Sequence, residues 1–178
     1  MISRLSATLL VLCAIHPVAA EPPKVTKENV STFYTGLKRL TPQPKVIMGD
    51  LLLLCRDVSA EIKAKRDTFG PHAAHSINTF ADTTAIAGWG DTQKPFPAGS
   101  VIVKEKLQRD RKTVAGVGGM IKRDKGYDPE HGDWEFFYWD KDVGFSTGRL
   151  AKCAECHAKA RASDFVYSRT DLKAAAAR

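Results

Sequence analysis

Cysteine, methionine and long apolar runs are all scarce in this chain. Four cysteines and three methionines among 178 residues are too few for a small disulfide-stapled scaffold. No apolar stretch reaches the roughly 20 residues that a membrane-spanning helix needs. The nearest approach, residues 7–15, follows Arg4 and leads through Val18-Ala19-Ala20 into the polar Glu21-Pro22-Pro23. A basic start, a short apolar run and small residues in that order read as a cleaved secretory signal peptide over residues 1–20. A lipid anchor at Cys13 is disfavoured, because Leu12 precedes it where a small residue is wanted. Acidic side chains number 20 against 27 Lys and Arg, yet no basic run is long enough to suggest nucleic acid. The expected product is periplasmic, without a membrane anchor, and residues 21–178 are expected to form a single domain.

After export three cysteines remain, Cys55, Cys153 and Cys156. An odd count in an oxidising compartment is awkward for disulfides. It becomes intelligible if two of the thiols are consumed otherwise. Cys153-Ala154-Glu155-Cys156-His157 has the spacing for covalent haem attachment: two thiols reach the two vinyl groups, and the imidazole that follows meets the iron. A redox pair or half a zinc site are the rival readings of Cys-x-x-Cys. Neither needs the adjacent histidine, and no second ligand pair occurs at zinc spacing. One motif predicts one covalent haem c, with His157 as axial iron ligand. Cys55, in Leu51-Leu52-Leu53-Leu54-Cys55, reads as a small buried hydrophobe.

The pattern along the chain is α+β. Val30, Phe33, Leu37 and Leu40 recur at helical spacing with Thr26 as a cap and Pro42 as a stop, so residues 26–40 are expected to be an amphipathic helix. Residues 46–58 are apolar and fit either a strand or a helix. A short strand is expected over residues 76–80 and a short helix over 82–89, ended by Gly88 and Gly90. Residues 100–107, 114–122 and 134–139 read as the strands of an antiparallel β-sheet meander. Residues 149–162, around the haem motif, and 170–177 read as helical. The architecture is therefore an antiparallel sheet with flanking helices and a C-terminal helical haem-binding segment.

The iron's other face is harder to assign. An electron carrier commonly places Met or a second His there, and Met48, Met120, His72, His75 and His131 are available. Met120 has the setting of a strand core residue, and His72 and His131 sit in loop-like sequence. A five-coordinate iron open to small molecules is expected. Phe80, Trp89 and Phe96 are candidates to wall its distal pocket, although aromatics are at home in any core.

Pro97-Ala98-Gly99-Ser100-Val101-Ile102-Val103-Lys104-Glu105-Lys106, then Gly132-Asp133-Trp134-Glu135-Phe136-Phe137-Tyr138, then Cys153 to His157 followed by Asp164-Phe165-Val166, resemble the cytochrome P-460 family. The resemblance implies a periplasmic, β-rich, homodimeric haem protein. It implies either hydroxylamine oxidation with a c-type cytochrome as redox partner, or nitric oxide binding without oxidation as in the cytochromes c′-beta. A plain electron-transfer cytochrome is the remaining reading. The resemblance also matches Lys104 to a lysine bonded covalently to the haem edge in the family's enzymes. Strand alternation adds that Ile102 and Lys104 share one face, where a desolvated lysine becomes a neutral nucleophile; a solvated lysine beside Glu105 and Lys106 is the plainer alternative. Oxidation needs a base for the released protons, and Glu130, Asp133, Glu135 and Asp164 cannot be placed from sequence.

Overall fold

The computed structural model describes residues 24–46, 76–108, 110–167 and 169–177. The expected signal segment, Met48, Cys55, His72, His75 and most of the apolar stretch 46–58 lie outside them.

The centre of the fold is an antiparallel sheet. Strand β3 (Ser76–Ala81) is followed by helix α1 (Thr83–Trp89), β4 (Val101–Leu107), β5 (Val114–Lys122), β6 (Trp134–Asp140) and β7 (Gly144–Gly148). Their order in the sheet is the chain order, and two short strands, β1 (Lys38–Arg39) and β2 (Lys45–Val46), pair with the outer edge of β3. Helices α2 (Ala151–Ala158) and α3 (Lys173–Ala176) complete the chain. The α+β meander expected from the sequence is present.

Alternation divides the sheet into two faces, each buried. Val101, Val103, Val117, Ile121 and Phe137 point to one side, where Val25, Val30 and Tyr34 cover them. Ile102, Met120, Trp134 and Phe136 point to the other, against α1, α2 and the C-terminal segment. The α1 helix is tied to the sheet through Asp82, whose Oδ1 accepts the N–H groups of Ala85 and Val101, both at 2.9 Å; one carboxylate thus caps the helix and fixes the start of β4.

Residues 27–36 depart from expectation. They form consecutive turns, not a regular helix, mixing four-residue hydrogen bonds (Val30 to Thr26, Phe33 to Asn29) with three-residue ones (Thr32 to Asn29, Leu37 to Tyr34). The apolar spacing still serves its purpose, since Val30, Phe33 and Leu37 pack on one sheet face. Leu40 does not join them: β1 redirects the chain and places it in the opposite cluster.

The β5–β6 pair is packed closely enough that glycine is required at 119. A Cβ there would lie 2.3 Å from the Phe137 ring and 2.7 Å from the Ile102 carbonyl. Gly119→Ala is expected to lower unfolding stability by about 1–3 kcal/mol, the usual range for overpacking, read from a denaturant midpoint shift.

Candidate functional site: a cavity between the sheet and the Cys-x-x-Cys-His helix

Beneath α2 the sheet face opens into a cavity of about 860 Å³, within the range of cofactor and ligand sites. Its floor comes from the register of four strands. Ile102, Met120 and Phe136 lie in one row; Lys104, Gly118, Tyr138 and Ser146 lie in the next. Gly118, directly opposite Lys104, leaves a gap in the floor where any other residue would project a side chain. Cys153, Cys156 and His157 form the roof.

The roof is aimed by the turn that precedes it. Asp140 accepts the N–H groups of Asp142 at 3.0 Å and Val143 at 2.8 Å, reversing the chain from β6 into β7. Gly148, at φ +113°, then turns it again, a conformation that costs glycine little. α2 follows. Cys153 and Cys156, three apart, share one side of the helix with His157 next to them, and all three line the cavity.

His157 is held from several sides. Its Nδ1 lies 2.7 Å from the Phe165 carbonyl, a contact that only a protonated nitrogen can make with an acceptor. That leaves Nε2 as the bare nitrogen, available to a metal. The ring sits 5.2 Å from Phe136 and 5.5 Å from Tyr167, centroid to centroid. Burial, with the nearby Lys104 charge, pushes its pKa down to about 4 against the opposing bond to Phe165. The imidazole is therefore neutral at physiological pH, as a metal ligand must be.

The Phe165 carbonyl is positioned at a conformational cost. Asp164 and Phe165 are consecutive residues at positive φ, 53° and 65°, each costing of order 1–3 kcal/mol when the residue is not glycine. The segment is pinned all round. The Asp164 carboxylate takes both Lys122 Nζ (2.8 and 2.9 Å) and the Phe96 N–H (2.7 Å), while the Asp164 carbonyl accepts from Trp134 Nε1 at 2.9 Å. Gly132 lies against the Phe165 ring, where a Cβ would come within 2.6 Å. Two of the sequence segments singled out for the family resemblance thus meet here, and their joint effect is to fix one histidine tautomer.

Lys104 points into the cavity with Ile102, as strand alternation requires. It is partly covered, and the surrounding protein strips much of its hydration. Burial pushes its pKa down to about 8, against a partly opposing effect of Cys156. A substantial share of neutral amine is present near pH 8. Burial also raises the Cys153 thiol.

The expected distal aromatics lie elsewhere. Phe80 is on the other face of the sheet, 5.1 Å from the Tyr34 ring. Trp89 and Phe96 are core residues, 5.4 Å apart, and the Trp89 indole N–H donates to the Arg169 carbonyl; none of the three lines the cavity. Its aromatic side chains are those of Phe136 and Tyr138, since the Phe137 ring packs on the other face of the sheet. Met120 is buried in the floor. His131 is turned to the Asp128 carboxylate at 3.0 Å and is not a lining residue.

The carboxylates that sequence alone could not place are now located, and none of the four lines the cavity. Glu135 pairs with Arg123 and accepts from the Thr147 hydroxyl. Asp133 accepts turn N–H groups of Gly126 and Asp128. Asp164 holds Lys122, and Glu130 is an exposed turn residue.

No curated protein matches the chain. A family model described as Cytochrome P460 matches residues 58–168, more than half of the sequence and a span that includes β3–β7, α2 and the whole cavity. On that match the chain belongs to the cytochrome P460 family.

Proposed function

We propose that the protein is a periplasmic cytochrome with one covalently attached haem c that oxidises hydroxylamine. Membership of the family makes it a haem cytochrome, and the residues fit that group. The cavity is largely apolar, two thiols and a neutral imidazole face it from one helix, and the imidazole's free nitrogen is set by the Phe165 carbonyl. Cys153 and Cys156 would hold the haem through thioethers and His157 would bind its iron. A haem iron ligated on one side supplies a site for small nitrogen ligands and a path for single electrons. The chain holds the imidazole in one tautomer, excludes water with Ile102, Met120 and Phe136, and presents the Lys104 amine to the space the haem would fill.

The observation that carries the enzymatic reading is Lys104, a lysine with a depressed pKa inside the cavity, where the family resemblance expects a bond to the haem edge. Nitric oxide binding without oxidation is the second reading, favoured by the same apolar walls. The test is addition of hydroxylamine and a c-type cytochrome acceptor to the purified ferric protein. Enzymatic oxidation is expected to reduce the acceptor catalytically; stoichiometric nitric oxide binding with no acceptor reduction would assign the second reading. A low-spin ferric spectrum without added ligand would favour a simple electron carrier instead.

A further inference from the structure

Beyond the end of the cavity marked by Lys104, the next row of the sheet carries a set of polar residues with no role in holding a haem. The register places Lys106, Gly116 and Asp140 side by side. The Tyr138 side chain, from a cavity-lining position, reaches into the space above Gly116. Lys106 Nζ donates to Tyr138 Oη at 2.5 Å, and the Tyr138 hydroxyl donates to the Asp140 carboxylate. Lys106 Nζ lies 3.8 Å from that carboxylate, with side-chain exposures of 6% and 15%.

Packing does not account for this arrangement. A buried ion pair in an apolar wall is often no more stable than apolar residues of the same volume. Gly116 keeps the row open, since a Cβ there would stand 2.8 Å from the Trp139 carbonyl and 3.0 Å from Asp140 Cβ. The row also has two ends. Tyr138 borders the cavity, and Asp140 bonds the turn N–H groups of Asp142 and Val143, the latter 69% exposed.

We infer that Lys106, Tyr138 and Asp140 are the proton outlet of the cavity, serving a small protic nitrogen substrate. This rests on the oxidation reading and supplies a base on the sheet side of the cavity; Glu155, the carboxylate among the lining residues, is an exposed residue of the roof helix. Tyr138 Oη accepts a proton leaving the substrate while its own proton passes to Asp140 Oδ2; Asp140 then releases it to water at the β6–β7 turn. One O–H bond forms and one breaks at each atom, and the three residues carry no electrons, which leave to a one-electron acceptor protein. Asp140 suits the relay. Burial alone would raise its pKa, but the bonds from Tyr138 and the turn N–H groups, with the Lys106 charge, hold it below the ordinary value, so it is anionic and able to accept. Burial first, then Asp140, keep the Tyr138 phenol protonated well above its ordinary range. The other ionisable groups that bear on the row are Asp142 on the turn, Cys153 on α2, consumed once haem is attached, and Lys104 one row away.

The test compares Tyr138→Phe, which keeps the ring, and Asp140→Asn with the wild-type holoprotein. Single-turnover reduction of the ferric protein by hydroxylamine is expected to slow by about 100-fold in each, a typical share for general acid–base catalysis. The wild-type solvent deuterium isotope effect should change with it. Nitric oxide binding, which moves no proton, is expected to keep its wild-type rate. In a difference titration against Tyr138→Phe, tyrosinate absorbance from Tyr138 should appear only far above pH 10, and Asp140→Asn should lower that pH. Wild-type reduction rates in both variants would overturn the outlet while leaving the oxidation reading intact. A wild-type protein that binds nitric oxide but is never reduced by hydroxylamine would overturn both.

Discussion

Replacing Cys153 and Cys156 together by Ala is expected to leave a chain from which every trace of colour is removed by denaturation in acidic acetone. Attachment through two thioethers needs both sulfurs at the cavity roof, and both are there, on one helix beside His157. The fold should survive the change. Cys153 and Cys156 are only half-buried, and the nearby core is anchored instead by Ala154 and by the fixed Asp164-Phe165 segment. Either single replacement should retain one thioether and much of the colour. Haem that stays on the double variant would have to be bonded elsewhere, and Lys104 is the residue to examine for it.

The second large effect concerns Lys104. If its amine is bonded to the ring, the ferrous absorption of the wild type lies far to the red of an ordinary c-type haem. Lys104→Ala and Lys104→Arg should both return it to the ordinary position and abolish hydroxylamine oxidation. Arg is the sharper variant, because it keeps the charge and length but stays protonated and cannot attack carbon. Nitric oxide binding should persist in both, since the His157 tautomer is set by Phe165 and not by Lys104. An ordinary wild-type spectrum that Lys104→Arg leaves unchanged would reduce Lys104 to a cavity-wall charge and make nitric oxide binding the preferred activity.

The placement of Lys104 was legible because it follows from local alternation: Val101 and Val103 point to one cluster, Ile102 and Lys104 to the cavity. The same holds for β4, β5 and β6, whose apolar residues alternate over whole strands. β7 was not legible. Gly144–Gly148 has no alternating apolar pattern, and it is a strand because Asp140 closes the turn before it and β6 supplies its hydrogen-bonding partner. The aromatic candidates went astray for a related reason. Phe80 pairs with Val103, so it shares that residue's face and points away from the cavity, a fact fixed by register between strands and invisible within either one.

Lys106 shows the same limit from the other side. In sequence it stands beside Glu105 in a charged stretch that reads as solvated. In the fold, Glu105 accepts from Tyr34 and Asn78 on the far face, each at 2.7 Å, while Lys106 is buried at 5% exposure. Its partners, Tyr138 and Asp140, come from a strand two places away in the sheet. The haem motif could be recognised from five consecutive residues; what orients its histidine could not, because that depends on a left-handed pair eight residues downstream packed under Gly132 and Trp134.

The central claim, a haem bound covalently through Cys153 and Cys156 in the cavity roofed by α2, is tested most directly by the intact mass of the exported protein after full denaturation. The expected result is a single species beginning at Glu21 and carrying the mass of one haem. A chain of bare polypeptide mass, with haem free in solution or absent, would contradict it.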